Sequence, residues 1–331
     1  MNLATVSAAL DWLRTPPFEL WGVSFPLMDL IGAFRLSIVL RQIKKLKGGG
    51  SSNVDTQVSP WITALILFGG EAVMCSQLSL TPSFLTYPNV TLLFMGAQVL
   101  VNEVILDPPP FRFLVELPLA VFDAFGRALL LCDFAPGLVA KHPDPIVANS
   151  PLALLIASEV LTNGGFFFVN LLNMLDPSGW RVDRTPPEAL PWGWTAVDLW
   201  TAPLITALWA SLTHWRNQPF WAEMHSKYLN LNNSRQSSEK SPALEAWAHS
   251  DARSLCIAIL VTLFVLRTWW NMGPLPSFKA KKIRPSSPPP SSEKPSSPVT
   301  SVELTELPNT PTSIRKRRAK YSRGKSVTQA E

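Results

Sequence analysis

Charged and amide side chains inside apolar stretches, rather than any nucleophile or metal cluster, are where this chain of 331 residues puts its chemistry. Projected at about 100° per residue, Glu116, Asp123 and Arg127 fall within roughly 40° of one another on a helix. Asp123 and Arg127, four apart, can pair along that face. Glu159, Asn163, Asn170 and Asn173 share an arc of about 80°, and Thr91, Gln98 and Asn102 one of about 40°. Glu71, Glu103 and Asp198 are isolated acids in similar surroundings. Such groups are costly in an apolar setting and face a bundle interior, paired or wetted. Two uses fit them: interhelical hydrogen bonds worth about 0.6 kcal/mol each, or a hydrated path for ions.

Catalytic and metal chemistry find no comparable support. Cys75, Cys132 and Cys256 lie in separate apolar stretches without CxxC spacing and read as packing residues. His142, His214, His225 and His249 fall in links or at helix ends and are not paired at i and i+4. No zinc site or nucleophile–base pair follows, so the chain is expected to be no enzyme, to use no cofactor or metal, and to bind no nucleic acid.

The elements that must hold these faces are set by the solvent the sequence suits. The last stretch, 273–331, is rich in Pro, Ser, Lys and Arg and is expected to be disordered. Without it the remainder is far more apolar than the 47% hydrophobic average suggests. A spanning helix needs about 20 mostly apolar residues, and such stretches run roughly over 21–42, 60–80, 87–106, 112–133, 150–175, 193–213 and 253–271. The expected fold is therefore an all-α membrane protein of seven transmembrane helices. Its expected parts are an N-terminal segment 1–20, a channel-like domain 21–272 with an extramembrane link at 214–252, and the tail 273–331. Asp11, Arg14 and Glu19 interrupt the first twenty residues, which do not read as a cleavable signal peptide.

Orientation follows from the basic residues. Arg41, Lys44, Lys45 and Lys47 follow the first helix, and "KAKKIR" and "IRKRRAK" lie in the tail, so both clusters are expected on the cytoplasmic side and the N-terminus on the other. These clusters are also the candidate contacts for acidic lipids. The sequon at Asn232 then lies in a link outside the cytoplasm and is the glycosylation candidate.

An internal repeat organises the helices. "FPLMDLIGAFRLSIVL" from Phe25 and "LPLAVFDAFGRALLLC" from Leu117 each place an arginine nine residues after a proline, Pro26 to Arg35 and Pro118 to Arg127. The following helix at each of the second and fifth positions carries a diglycine, Gly69-Gly70 and Gly164-Gly165. Three helices per half make the second copy enter inverted, giving two inverted three-helix repeats plus a seventh helix. The glycines have two readings. Small residues let neighbouring helices approach closely; alternatively each pair kinks its helix, forming a constriction with Glu71 on the wet side of the bend.

These residues resemble the trimeric intracellular cation channels of the endoplasmic and sarcoplasmic reticulum. "FPLMD" at Phe25–Asp29 is similar to the start of their first helix, "FGG" at Phe68–Gly70 to the glycine motif of their second, and Leu117-Pro118 to the start of their fourth. A glycine-broken fifth helix, a Trp- and Pro-containing link, a sixth helix and an appended seventh follow in the same order. The resemblance covers about 20–213 plus the last span. It implies a homotrimer in an internal membrane, each subunit with its own potassium-permeable pore, N-terminus lumenal and C-terminus cytoplasmic, supplying counter-ion current. Animal members carry Lys-Glu-Val-x-Arg-x-x-Lys on the fourth helix, where the basic groups hold a phosphoinositide. Here Arg127 alone supplies a cation, in the place of the glutamate, so phosphoinositide gating does not transfer and the chain reads as a divergent, fungal-type branch.

The expected function is a monovalent cation channel, with Gly69, Gly70, Glu71, Asp123, Arg127, Glu159, Asn163, Gly164 and Gly165 on the pathway. Arg127 is expected to pair internally with Asp123 and Glu116, and Arg35 is its repeat mate. The rivals are a non-conducting scaffold that acts through its tail and a secondary transporter.

Overall fold

The computed structural model describes residues 2–17, 19–20, 23–49, 55–182, 185–186, 197–229 and 245–273. The tail and Asn232 lie outside the described residues.

The chain is mostly α-helical. In order it forms α1 (Leu3–Arg14), α2 (Leu27–Lys47), α3 (Pro60–Gln77), α4 (Ser83–Thr86), α5 (Pro88–Val104), α6 (Phe113–Leu129), α7 (Ala135–Ala140), α8 (Pro145–Ala148), α9 (Pro151–Leu171), α10 (Val197–Thr213), α11 (Pro219–Met224) and α12 (His249–Met272). Two-residue strands, Glu19–Leu20 and Val23–Ser24, make one antiparallel pairing before α2. The helix starts follow from local chemistry. Proline opens α3, α5 and α9, where its missing N–H costs nothing, and the Ser150 hydroxyl accepts from Ala153 N to cap α9.

Seven helices of 17 to 24 residues, α2, α3, α5, α6, α9, α10 and α12, carry the fold among the described residues. Two of them, α9 and α12, are by themselves long and apolar enough to cross a membrane. Contacts fix two relative directions: Arg41 near the end of α2 meets the carbonyls at the end of α5, so these two helices run the same way, and Asp133 beyond the end of α6 meets Arg253 at the start of α12, so those two run oppositely. α6 does not stop at Leu129. A wider turn at Leu130–Phe134 carries it into α7, so the Pro136 ring is accommodated without a break.

One feature is added to the expected fold here and one expectation changes. The first twenty residues hold an amphipathic helix, α1, whose Val6, Leu10 and Leu13 are buried in the main core with α12. The diglycines do not interrupt their helices either: α3 and α9 run through them as continuous α-helix. The reason is packing. A Cβ on Gly69 would stand 3.2 Å from the Cα of Gly165, and one on Gly164 would stand 3.0 Å from the Cα of Gly70. Gly70 faces the backbone of Val160 and Leu161, and Gly165 faces Ile66, closer than any side chain allows. The Gly69–Gly165 and Gly164–Gly70 contacts, and the Gly70–Leu161 and Gly165–Ile66 contacts, interchange when each residue is replaced by its counterpart 95 positions away, which is a local two-fold relation between α3 and α9.

Candidate functional site

A cavity of about 1390 Å³ runs inside the helices. Its wall takes residues from α2, α3, α5, α6, α9, α10 and α12, from Arg14, Asp29, Ser83 and Asp133 at one end to Phe111, Asn271 and Met272 at the other. Along α2 it extends from Met28 to Ile43, about 22 Å at 1.5 Å per residue. Six carboxylates line it (Asp29, Glu71, Glu116, Asp123, Asp133 and Asp198) against four guanidiniums (Arg14, Arg35, Arg127 and Arg267).

Most of these charges are paired across helices. Arg35 Nη2 on α2 donates to Glu116 Oε2 on α6 at 2.5 Å, with Glu116 buried. This corrects the expected pairing of Glu116 with Arg127: α2 packs on α6 and its arginine reaches Glu116 first. Arg127 keeps Asp123, four residues back, at 3.7 Å and adds Asp198 of α10 at 3.5 Å. Arg267 of α12 places Nη1 2.8 Å from both oxygens of Asp198 and Nη2 3.9 Å from Asp123. The Arg127 and Arg267 guanidiniums both lie over the Phe264 ring, at 5.4 and 4.6 Å from its centroid. In the sequence Asp198 stands only as an isolated acid and Arg267 carries no expectation, although an arginine well inside the seventh apolar stretch is its signal.

Asn163 and Asn170 reach the cavity wall. Asn163 Nδ2 bridges Glu159 Oε1 at 2.9 Å and the Asp198 carbonyl at 3.0 Å, which ties α9 to α10. The Asp29 carboxylate faces the cavity without an ion pair or hydrogen bond to any described residue. Glu71 is buried and accepts from the Ser83 N–H and, at 2.9 Å, from its hydroxyl, so it fixes the start of α4 rather than following a bend. Gly69, Gly70, Gly164 and Gly165 form the α3–α9 crossing and are not part of the cavity wall, which removes the diglycine constriction.

On the polar face of α5, Gln98 and Asn102 are structural. Thr63 Oγ1 donates to Gln98 at 2.9 Å, Gln98 to Asn102 at 3.0 Å, and Asn102 to the Val58 carbonyl at 2.8 Å. Among the candidate lipid contacts, Arg41 is corrected. It is 1% exposed, and its guanidinium donates to the carbonyls of Val101, Ile105 and Leu106 and to Thr56. It thereby satisfies the Ile105 and Leu106 carbonyls just past the end of α5 and shares the Val101 carbonyl with the Ile105 N–H. Lys44 reaches Asp55 and the Gln57 carbonyl, Lys45 reaches Asp107, and Lys47 donates to Asn173 at 2.9 Å.

At the opposite end Asp133 gathers Arg253 at 2.8 Å, His249 at 3.2 Å and Arg14 at 3.7 Å. Beyond α10, His214 Nε2 and His225 Nδ1 lie 2.9 Å apart. Burial, and then the neighbouring His214, hold the His225 imidazole below its ordinary pKa. No protein-family model, curated protein or solved structure matches this chain.

Proposed function

We propose that this chain spans a membrane and passes monovalent cations, potassium above all, through the cavity enclosed by its helices. The observation that carries the reading is the cavity wall: it extends from one end of the helices to the other, and its carboxylates outnumber its guanidiniums six to four. A narrow water-filled space with net negative walls concentrates cations and disfavours anions. The orientation expected from the basic residues, an internal membrane and assembly as a homotrimer belong to the same proposal.

The outer surface supports a bilayer as the surrounding solvent. Polar groups such as Gln98, Thr63 and Arg41 are inside, while Leu92, Val99 and Leu100 on α5, Leu152 and Ile156 on α9, Leu204 on α10 and Leu266 on α12 are exposed. Exposed Trp61, Trp180, Trp200, Trp269 and Trp270 collect at the end where α12 finishes, and Trp12, Tyr87 and Trp247 at the other. Aromatic rims around an aliphatic belt are what two membrane–water interfaces favour. The 17-residue helices α5, α6 and α10 are about 26 Å long, close to the ~30 Å hydrocarbon core.

A secondary transporter is the second reading, favoured by the two-fold relation at the α3–α9 crossing. Potassium efflux from liposomes holding the purified full chain tests both. A channel gives efflux that scales with the gradient, a transporter gives slow saturable exchange, and efflux no faster than from empty liposomes contradicts both.

A further inference from the structure

We propose that the end of the cavity where α2 begins is a binding site for a hydrophobic organic cation, a substituted ammonium carrying one positive charge. The site needs the cavity and not conduction through it, so it stands or falls separately from the channel reading.

The charges along the wall single out one group. Each of the four guanidiniums lining the cavity is matched to a carboxylate of its own: Arg14 to Asp133 at 3.7 Å, Arg35 to Glu116 at 2.5 Å, Arg127 to Asp123 at 3.7 Å and Arg267 to Asp198 at 2.8 Å. Two lining carboxylates remain, Asp29 and Glu71. Both Glu71 oxygens are engaged, one by the Ser83 N–H and the other by its hydroxyl. Asp29 has neither an ion pair nor a hydrogen bond among the described residues, and it is only partly buried, so its charge stays open to a ligand.

Beside Asp29 the wall is apolar. Asp29, Gly32 and Leu36 follow one face of α2 at i, i+3 and i+7, and all three line the cavity. Gly32 has no side chain, so the wall is set back one turn from the carboxylate. The floor of that recess is the Phe94 ring of α5, whose Cζ would stand 3.6 Å from a Cβ at Gly32. Leu36, Leu67 and Val90 pack around Phe94 and line the cavity with it. A bare potassium ion is held by a shell of oxygens, which one carboxylate among hydrocarbon does not supply, and a hydrated one keeps its own water. A cation that carries apolar groups is matched instead: the carboxylate offsets its charge, the groups bury in the recess, and the aromatic ring attracts it. An anionic ligand is disfavoured, because every lining guanidinium is already engaged by a carboxylate and Asp29 repels it.

Equilibrium dialysis of the purified full chain in detergent against radiolabelled tetrapropylammonium, with protein-free micelles as the blank, tests the site. The parent binds a single ion per chain saturably. Asp29→Asn weakens that binding at least tenfold. Gly32→Leu fills the recess while leaving every charge in place; it weakens binding at least fivefold and serves if the Asp29 variant does not fold. Glu103→Gln removes an exposed carboxylate outside the cavity wall and leaves binding within twofold of the parent. Binding no greater than the blank, parental affinity in either Asp29→Asn or Gly32→Leu, or an equal loss in Glu103→Gln overturns the site. Potassium efflux is read on the same preparation in liposomes: binding as expected without efflux refutes the channel reading while the cation site stands, and efflux without binding does the reverse.

Discussion

Gly70 and Gly165 are counterparts across the α3–α9 crossing, each pressed against the backbone of the opposite helix so closely that neither position has room for a Cβ. Gly70→Ala and Gly165→Ala should each lower stability by about 1–3 kcal/mol, because the obstacle is main chain and cannot rotate away. Gly96→Ala, on α5 with open space around it, should be neutral or stabilising by up to about 1 kcal/mol through helix propensity. Thermal aggregation midpoints in detergent would rank the three, and equal midpoints would remove the crossing as the role of the diglycines.

Arg41 should be among the least replaceable residues of the chain. Arg41→Met leaves the Ile105 and Leu106 carbonyls and the Thr56 hydroxyl without this donor, and Val101 with only the Ile105 N–H, at about 1–3 kcal/mol for each buried group left unsatisfied. Little monodisperse protein should be recovered on size exclusion. Lys45→Gln breaks only the pair with the exposed Asp107 and should cost at most about 1 kcal/mol.

The Arg35–Glu116 pair lends itself to a double-mutant cycle. Glu116→Gln alone strands a charge in a mostly buried site and should cost about 3–5 kcal/mol, whereas Arg35→Gln combined with Glu116→Gln should recover much of the loss. If Arg127→Gln rescued Glu116→Gln instead, the pairing would be the one that helical projection of α6 suggests.

That contrast separates what is legible in the amino-acid sequence from what packing decides. The apolar runs lie where the seven long helices do, because length and hydropathy are local properties. The shared face of Asp123 and Arg127 is equally local. Glu116 escapes the projection because its partner comes from α2, 81 residues away in the chain, where the geometry of one helix cannot see it. The diglycine repeat is visible too, but whether the gap beside a glycine holds water or another backbone is decided by tertiary packing. α1 is hidden because its three buried residues are spaced among Asp11, Trp12 and Arg14, which read as a polar segment.

Acidification should loosen the link after α10. His225 is held below its ordinary value by burial and then by His214, while in the unfolded chain it titrates near 6.5. The folded form binds fewer protons, so its contribution to stability is complete above about pH 6.5 and is lost as the pH falls below that toward the lowered folded value. Amide protection across 215–229, taken relative to the intrinsic exchange rate at each pH, should fall between about pH 7 and 5, and His225→Phe, which keeps a buried ring without a titrating nitrogen, should flatten that dependence. An unchanged pH profile in the variant would assign the loosening to other groups.

If the negatively lined cavity is a cation path, the reversal potential reads its selectivity. The purified full chain is placed in a planar bilayer between two concentrations of potassium chloride. Current should reverse close to the potassium equilibrium potential, and the reversal should shift toward zero in Asp29→Asn, which removes the one cavity carboxylate free of a described partner. Absence of current, or reversal near the chloride potential, would contradict it.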